Sequence, residues 1–82
     1  MQQFQVISDS LNIRSAPIVD EANQIATLPK GYIVSKIKNS DNDKWWKVAT
    51  ILEGKTLEGF VAQKFLNPVT KFSIKTVLKI DV

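Results

Sequence analysis

The chain has 82 residues, which is enough for one small domain and too few for two. It contains no cysteine and no histidine, so it offers no disulfide, no thiol nucleophile and no imidazole base. The net charge of +3 is divided into +1 over residues 1–67 and +2 over residues 68–82, which does not provide the dense basic face that nucleic-acid binding requires.

The first half of the chain predicts short strands, because β-branched and aromatic residues alternate with polar ones and no helical period of useful length occurs. Strands are expected at residues 4–7 and 11–14, and Pro17 ends the second because it cannot donate a ladder hydrogen bond. Residues 18–27 are interpreted as a long polar loop. Residues 28–31, Leu-Pro-Lys-Gly, predict a tight turn in which glycine accepts a positive φ.

The second half predicts a meander of three strands joined by two turns. Residues 32–38 alternate strongly and are expected to form a strand, and the composition of residues 39–43 is typical of a hairpin turn. Residues 44–51 then pair back as the next strand. Residues 53–55 form a second turn, and residues 56–61 return as a further strand.

The last part of the chain predicts a closing turn and an additional strand. Residues 62–66 are too short for a stable helix and suit a single 3₁₀ turn, after which residues 67–68 close the unit. Residues 72–80 alternate apolar and polar side chains in a clean amphipathic strand pattern. We therefore expect a barrel over residues 1–68 and a C-terminal extension over residues 69–82.

Two adjacent tryptophans are the most informative feature of the chain. On a strand, consecutive side chains point to opposite faces, so Trp45 and Trp46 must separate. Trp46 shares a face with Val48 and is expected to pack in the core, whereas Trp45 shares the other face with Lys47. Trp45 is therefore the best candidate for an aromatic platform at the surface.

Four motifs of the chain, by their order and spacing, resemble those of the bacterial SH3 domain. The match runs from residue 4 to about residue 68, and its motifs are Leu11-Asn12-Ile13-Arg14-Ser15-Ala16-Pro17, Leu28-Pro29-Lys30-Gly31, Trp45-Trp46-Lys47-Val48 and Gly59-Phe60-Val61. The resemblance implies an all-β fold: a small, bent SH3-like β-barrel of five or more short strands with a short 3₁₀ turn. It also implies an accessory module of cell-wall hydrolases and other envelope or sensor proteins, one that binds peptide or glycan and does not catalyse.

The second half of the chain also resembles the eukaryotic Src-homology-3 domain. In that family the first tryptophan of the pair, here Trp45, forms the wall of a groove for polyproline peptides. Where that groove has a proline and a tyrosine, this chain has Ala62 and Phe65, and Phe65 has no hydroxyl group. These departures disfavour a polyproline ligand.

Five side chains are the candidate ligand-binding residues: Trp45, Tyr32, Asn12, Arg14 and Phe65. Trp45 would stack on a peptide or sugar and donate from its indole N–H, and Tyr32 and Phe65 would flank it. Asn12 and Arg14 would hold a ligand carboxylate or carbonyl. The alternatives are that Trp45 packs under the loop at residues 18–27, that Tyr32 and Phe65 only pack, and that Arg14 pairs with Asp20 or Glu21.

Neither a catalytic centre nor a metal or cofactor site is expected. The pairs Asp20-Glu21 and Asp41/Asp43 lie in predicted solvated loops, whereas an acid–base dyad needs unequal, partly buried carboxyl groups. Residues 41–43 begin like a calcium loop but lack the glycine and the distal glutamate. No serine has a histidine to activate it, and the three glycines form no phosphate cradle.

We therefore expect a non-catalytic binding module whose partner is peptidoglycan or a peptide. The alternatives are an assembly domain that pairs with another protein through the edge strand Phe72 to Ile80, and a binder of proline-rich peptides. No apolar run is long enough for a membrane span or a signal peptide. In a cell-wall protein the domain would be extracellular or periplasmic, with its targeting segment outside this sequence.

Overall fold

The computed structural model describes residues 2–41 and 43–69, and these form an all-β fold. Its seven strands are β1 (Gln3–Val6), β2 (Ser10–Arg14), β3 (Gln24–Pro29), β4 (Ile33–Asn39), β5 (Trp45–Leu52), β6 (Lys55–Ala62) and β7 (Leu66–Pro68). Two short 3₁₀ turns, Glu21–Asn23 and Gln63–Phe65, precede β3 and β7. The predicted all-β class and the predicted 3₁₀ turn near residues 62–66 are both confirmed.

All strand pairs are antiparallel and belong to one sheet, which curls into a half-barrel. The strand order across the sheet is β3-β2-β6-β5-β4-β1-β7. The chain therefore runs as a meander from β4 to β6, and β6 then crosses to pair with β2 at Arg14 and Phe60. The predicted extra strand at residues 72–80 lies outside the described residues.

Every strand contributes at least one apolar side chain to the core inside this curl. The buried side chains are Phe4, Val6, Leu11, Ile13, Leu28, Val34, Val48, Val61 and Leu66. Alternation places them on one face of each strand, and burial of each valine or larger residue contributes about 1.5–3 kcal/mol. The polar or exposed residues between them face outward.

The segment between β2 and β4 is more ordered than its composition indicates. The prediction of a loop over residues 18–27 is wrong in its second part, because β3 begins at Gln24 and pairs with β2 from Ser10 to Arg14. This strand lies at the edge of the sheet, where one side of its backbone and most of its side chains face solvent. Because β3 lies at the edge, it can contain many polar residues, and its composition is therefore similar to that of a loop.

Each of the two tight turns contains a glycine with a positive φ. Gly31 has φ +92°, and the Tyr32 N–H donates to the Pro29 carbonyl at 3.3 Å, so the turn lies one residue later than predicted. In the β5–β6 hairpin, Glu53 and Gly54 both have positive φ (52° and 80°), as in a type I′ turn. The residues of the turn itself thus reverse the chain between β5 and β6.

Within the described part of the chain, no helix is long and apolar enough to cross a bilayer.

Candidate functional site: a groove beside Trp45

A groove of about 680 Å³ opens on one side of the barrel. We call it the Trp45 groove, and its lining residues are Ser10, Leu11, Asn12, Arg14, Val19, Lys44, Trp45, Ala62, Gln63, Lys64 and Phe65. They come from β2, from the loop that follows β2, from the start of β5 and the residue before it, from the end of β6 and from the second 3₁₀ turn. The groove therefore lies where parts of the chain that are distant in sequence meet.

Trp45 forms one wall of the groove at the first position of β5. Its partner across the ladder is Ala62, whose methyl group is too small to cover an indole ring. Trp45 is half-buried, so one part of the ring packs while the rest faces the groove. A half-covered indole has both a fixed orientation and an accessible apolar surface, which suits stacking against a ligand.

Trp46 lies on the opposite face of β5 and packs against the core, as predicted. Its ring centroid is 4.8 Å from that of Phe4, and the two planes are inclined at 53°. The Lys36 Nζ lies 4.1 Å from the Trp46 ring centroid, within the range of a cation–π interaction. The adjacent indoles therefore have different environments, one structural and one beside the groove.

Asn12 and Arg14 reach the groove from β2. The Thr27 hydroxyl donates to Asn12 Oδ1 at 2.9 Å, which orients the amide and leaves its nitrogen as the remaining donor. Arg14 is buried and donates from Nη1 to the Asp20 carbonyl at 2.8 Å and to Asn23 Oδ1 at 3.1 Å. Arg14 therefore positions the loop that borders the groove as well as lining it.

The alternative interpretation pairs Arg14 with the carboxylate of Asp20 or Glu21, whereas the structure shows a hydrogen bond from Arg14 to the Asp20 main-chain carbonyl. The Asp20 carboxylate accepts from the Ala22 N–H at 2.9 Å and caps the first 3₁₀ turn. Arg14 therefore donates to the main-chain carbonyl of Asp20 and not to its carboxylate. The Ser15 N–H also donates to the Asn23 carbonyl at 2.8 Å. These hydrogen bonds hold the loop closed at the edge of the groove.

The second 3₁₀ turn supplies three further lining residues, Gln63, Lys64 and Phe65. The Gln63 side chain donates to the Asp43 carbonyl, and the Gln63 N–H donates to the Lys44 carbonyl, which ties this turn to the start of β5. Phe65 packs against the core while still lining the groove. The Lys64 Nζ lies 5.0 Å from the Phe65 ring centroid.

Four of the five candidate residues, Trp45, Asn12, Arg14 and Phe65, therefore lie around one groove. Tyr32 does not. It lines a separate depression of about 540 Å³, formed with Gln3, Ile33, Ser35, Ala49, Thr50, Ile51 and Thr56. We call this second surface the Tyr32 depression.

Sequence reasoning did not select the two lysines and the glutamine of the groove. Lys44 precedes Trp45, and Gln63 and Lys64 precede Phe65. Their proximity to the two aromatic candidates was the available signal. It was weak because exposed lysines next to strand aromatics are common on any β surface.

The described residues contain no group of three or more carboxylate, histidine or cysteine side chains that could hold a metal ion. Near the groove, the Asp20 carboxylate accepts from the Ala22 N–H, and the main-chain carbonyl of Asp43 accepts from the Gln63 side chain. The groove presents an indole wall, apolar side chains and several nitrogen donors. Such groups bind a ligand through stacking, apolar packing and hydrogen bonds.

Comparison with known proteins identifies the family to which this fold belongs. The family model of the bacterial SH3 domain matches residues 9–67, a range that includes β2 to β6 and every lining residue of the Trp45 groove. No curated protein and no solved structure matches the chain. The SH3-like fold that the sequence motifs implied is confirmed by this match, and the chain belongs to the bacterial SH3 domain family.

Proposed function

We propose that the chain is a non-catalytic binding module that holds a larger protein on peptidoglycan or on another peptide-containing target. Bacterial SH3 domains are a family of binding modules. The observation that carries the proposal is the Trp45 groove, in which a half-buried indole is held beside oriented nitrogen donors. The groove combines the apolar surface and the few fixed polar groups typical of ligand sites.

A short extended peptide fits the chemistry of this groove. Trp45 would stack on a peptide plane or an apolar side chain, and its indole N–H would donate to a peptide carbonyl. Asn12 has an amide nitrogen left over from its contact with Thr27 and would donate to a second carbonyl. Phe65 would provide the floor beneath the ligand.

The composition of the chain supports binding over catalysis. There is no histidine or cysteine, and the groove is lined by no Asp or Glu side chain among the described residues. The serine that lines it, Ser10, has no neighbouring imidazole to act as its base. The residues that line the groove thus suit ligand binding and do not include the nucleophile–base pair that covalent catalysis requires.

Titration of the purified domain with soluble cell-wall fragments, followed by tryptophan fluorescence, tests the proposal. We expect a saturable change in the wild-type chain and at least about a tenfold loss of affinity in Trp45→Ala, as for an aromatic anchor. Ile51→Ala is the matched control, because Ile51 is 67% exposed and lies in the Tyr32 depression. Absence of saturable binding, together with equal retention of wild type and Trp45→Ala on sacculi, would refute the proposal.

Two alternative functions are less well supported. Polyproline binding is disfavoured by Ala62 and Phe65, which replace the proline and tyrosine of that groove type. Assembly through Phe72 to Ile80 depends on residues outside the described part of the chain. It is favoured by their strand pattern and by the position of β7, just before them, at an edge of the sheet.

A further inference from the structure

The Trp45 groove has a one-sided charge. Its lining includes the cationic side chains Arg14, Lys44 and Lys64, and no Asp or Glu side chain lines it among the described residues. Residues 1–67 as a whole carry eight basic and seven acidic side chains. The groove therefore concentrates positive charge, whereas the rest of residues 1–67 carries five basic and seven acidic side chains.

Arg14 is the most informative of the three cations, because its side chain is only 8% exposed. Its hydrogen bonds within the described residues go to two neutral oxygens, the Asp20 carbonyl and the Asn23 amide oxygen. The nearest expected counter-ion, the Asp20 carboxylate, caps the first 3₁₀ turn instead. A buried guanidinium usually has a carboxylate partner, and this one lines an open groove with no carboxylate partner in the described part of the chain.

Burial increases the effect of this charge on a ligand. Partial removal of water lowers the local dielectric and strengthens an attraction between unlike charges. Hydrogen bonds from a charged donor to a carboxylate are also about twice as strong as neutral ones. Lys64, whose Nζ lies above Phe65, adds a second positive charge beside the aromatic floor.

We propose that the groove selects peptides that carry carboxylate groups, with Arg14 and Lys64 as the groups that recognise the negative charge. This inference rests on the proposed function and specifies the class of ligand. The apolar wall and floor at Trp45, Leu11 and Phe65 favour a peptide over an anionic polymer such as polyphosphate, which offers no apolar group to bury. The carboxylate would lie towards Arg14 while the peptide backbone stacks on Trp45.

The test compares two preparations of the same soluble peptidoglycan fragments. One keeps its peptide carboxylates, and in the other these are converted to methyl amides by carbodiimide coupling. We expect amidation to weaken binding about tenfold or more, since a hydrogen bond to a charged group contributes about 1.5–3 kcal/mol. The affinity for the native fragments should also fall as the salt concentration rises.

Lys64→Gln removes one positive charge without touching the core and should weaken binding of the native fragments about threefold. The loss should be clearly smaller for the amidated fragments than for the native ones. Lys55→Gln is the matched control, because Lys55 is also exposed and begins β6 at the far hairpin. Arg14→Gln should have a larger effect than Lys64→Gln, and the lysine variant remains informative if the arginine variant does not fold.

The outcomes separate the two proposals. Equal affinity for native and amidated fragments would overturn carboxylate selection while leaving peptide binding intact. Binding of neither preparation would overturn the proposed function and this inference with it. Binding of polyphosphate as tight as that of native fragments would show that the groove recognises any polyanion, and would overturn the assignment to peptides.

Discussion

At the scale of single residues, the separation of Trp45 and Trp46 is what makes this barrel a candidate binding module. The period of two along β5 places Trp46 beside Phe4 and Lys36 and leaves Trp45 opposite the small Ala62. The same alternation was enough to predict which indole packs. It did not predict that Tyr32 lies away from Trp45, because strand period alone gives no information about the curl of the sheet.

Replacement of the two tryptophans should separate stability from binding. Trp46→Ala removes contacts with Phe4 and with the core and should lower the free energy of unfolding by about 2–3 kcal/mol. Trp45→Ala should cost less than about 1 kcal/mol, because Trp45, although half-buried like Trp46, is not among the described side chains that pack against the buried core. Urea denaturation followed by circular dichroism measures both, and a larger loss for Trp45→Ala than for Trp46→Ala would contradict the assigned environments.

Gly59 is required for the close approach of β6 to β2. A Cβ at this position would lie 2.6 Å from the Arg14 carbonyl oxygen and 2.8 Å from Ile13 Cγ1, both far inside normal contact distances. Gly59→Ala should therefore destabilise the fold by about 1–3 kcal/mol. An unchanged denaturation midpoint would show that the two strands are not in close contact at this point.

At the scale of elements, most strands could be predicted from alternation, and β3 could not. Gln24 and Thr27 have the composition of a loop, yet β3 pairs with β2 along its length. Edge strands need few apolar residues, so their sequences carry little of the signal on which prediction depends. The sequence was enough to predict that Trp45 and Phe65 line the groove. It was not enough to predict Val19 or Lys64, because their positions depend on how the loop and the 3₁₀ turn fold back.

The β5–β6 hairpin contains a correctable strain. Glu53 has φ 52° next to Gly54 with φ 80°, and in a two-residue turn of this type asparagine is preferred before glycine. Glu53→Asn should raise the free energy of unfolding by about 0.5–1 kcal/mol, because asparagine tolerates the left-handed conformation. Thermal denaturation measures the gain.

Glu53→Gln is the control for this prediction, since it removes the charge but keeps a side chain that disfavours positive φ. Glutamine should give no increase in stability. An equal gain from both substitutions would mean that charge, and not backbone conformation, limits the stability of the hairpin.

At the scale of the whole molecule, the curl of the sheet brings β2, the start of β5 and the second 3₁₀ turn to one side, and this assembles the groove. Sequence motifs predicted the fold through their order and spacing. They could not give the charge of the groove, because Arg14, Lys44 and Lys64 are far apart along the chain and meet only after folding.

Deletion of residues 70–82 tests the assembly alternative at this scale. If the groove is the functional surface, the truncated chain should keep its binding of cell-wall fragments, and both chains should be monomers at all concentrations in light scattering. A concentration-dependent dimer of the full chain that disappears on truncation would support assembly through Phe72 to Ile80 instead.

The most direct test of the account uses the fact that the chain has only two tryptophans. Each gives one indole N–H signal in a ¹⁵N-correlated NMR spectrum, so the two faces of β5 can be observed separately during titration with soluble peptidoglycan fragments. We predict that the Trp45 signal shifts in a saturable manner while that of Trp46 stays almost constant. Shifts confined to Trp46 or to residues of the Tyr32 depression, with Trp45 unchanged, would contradict the account.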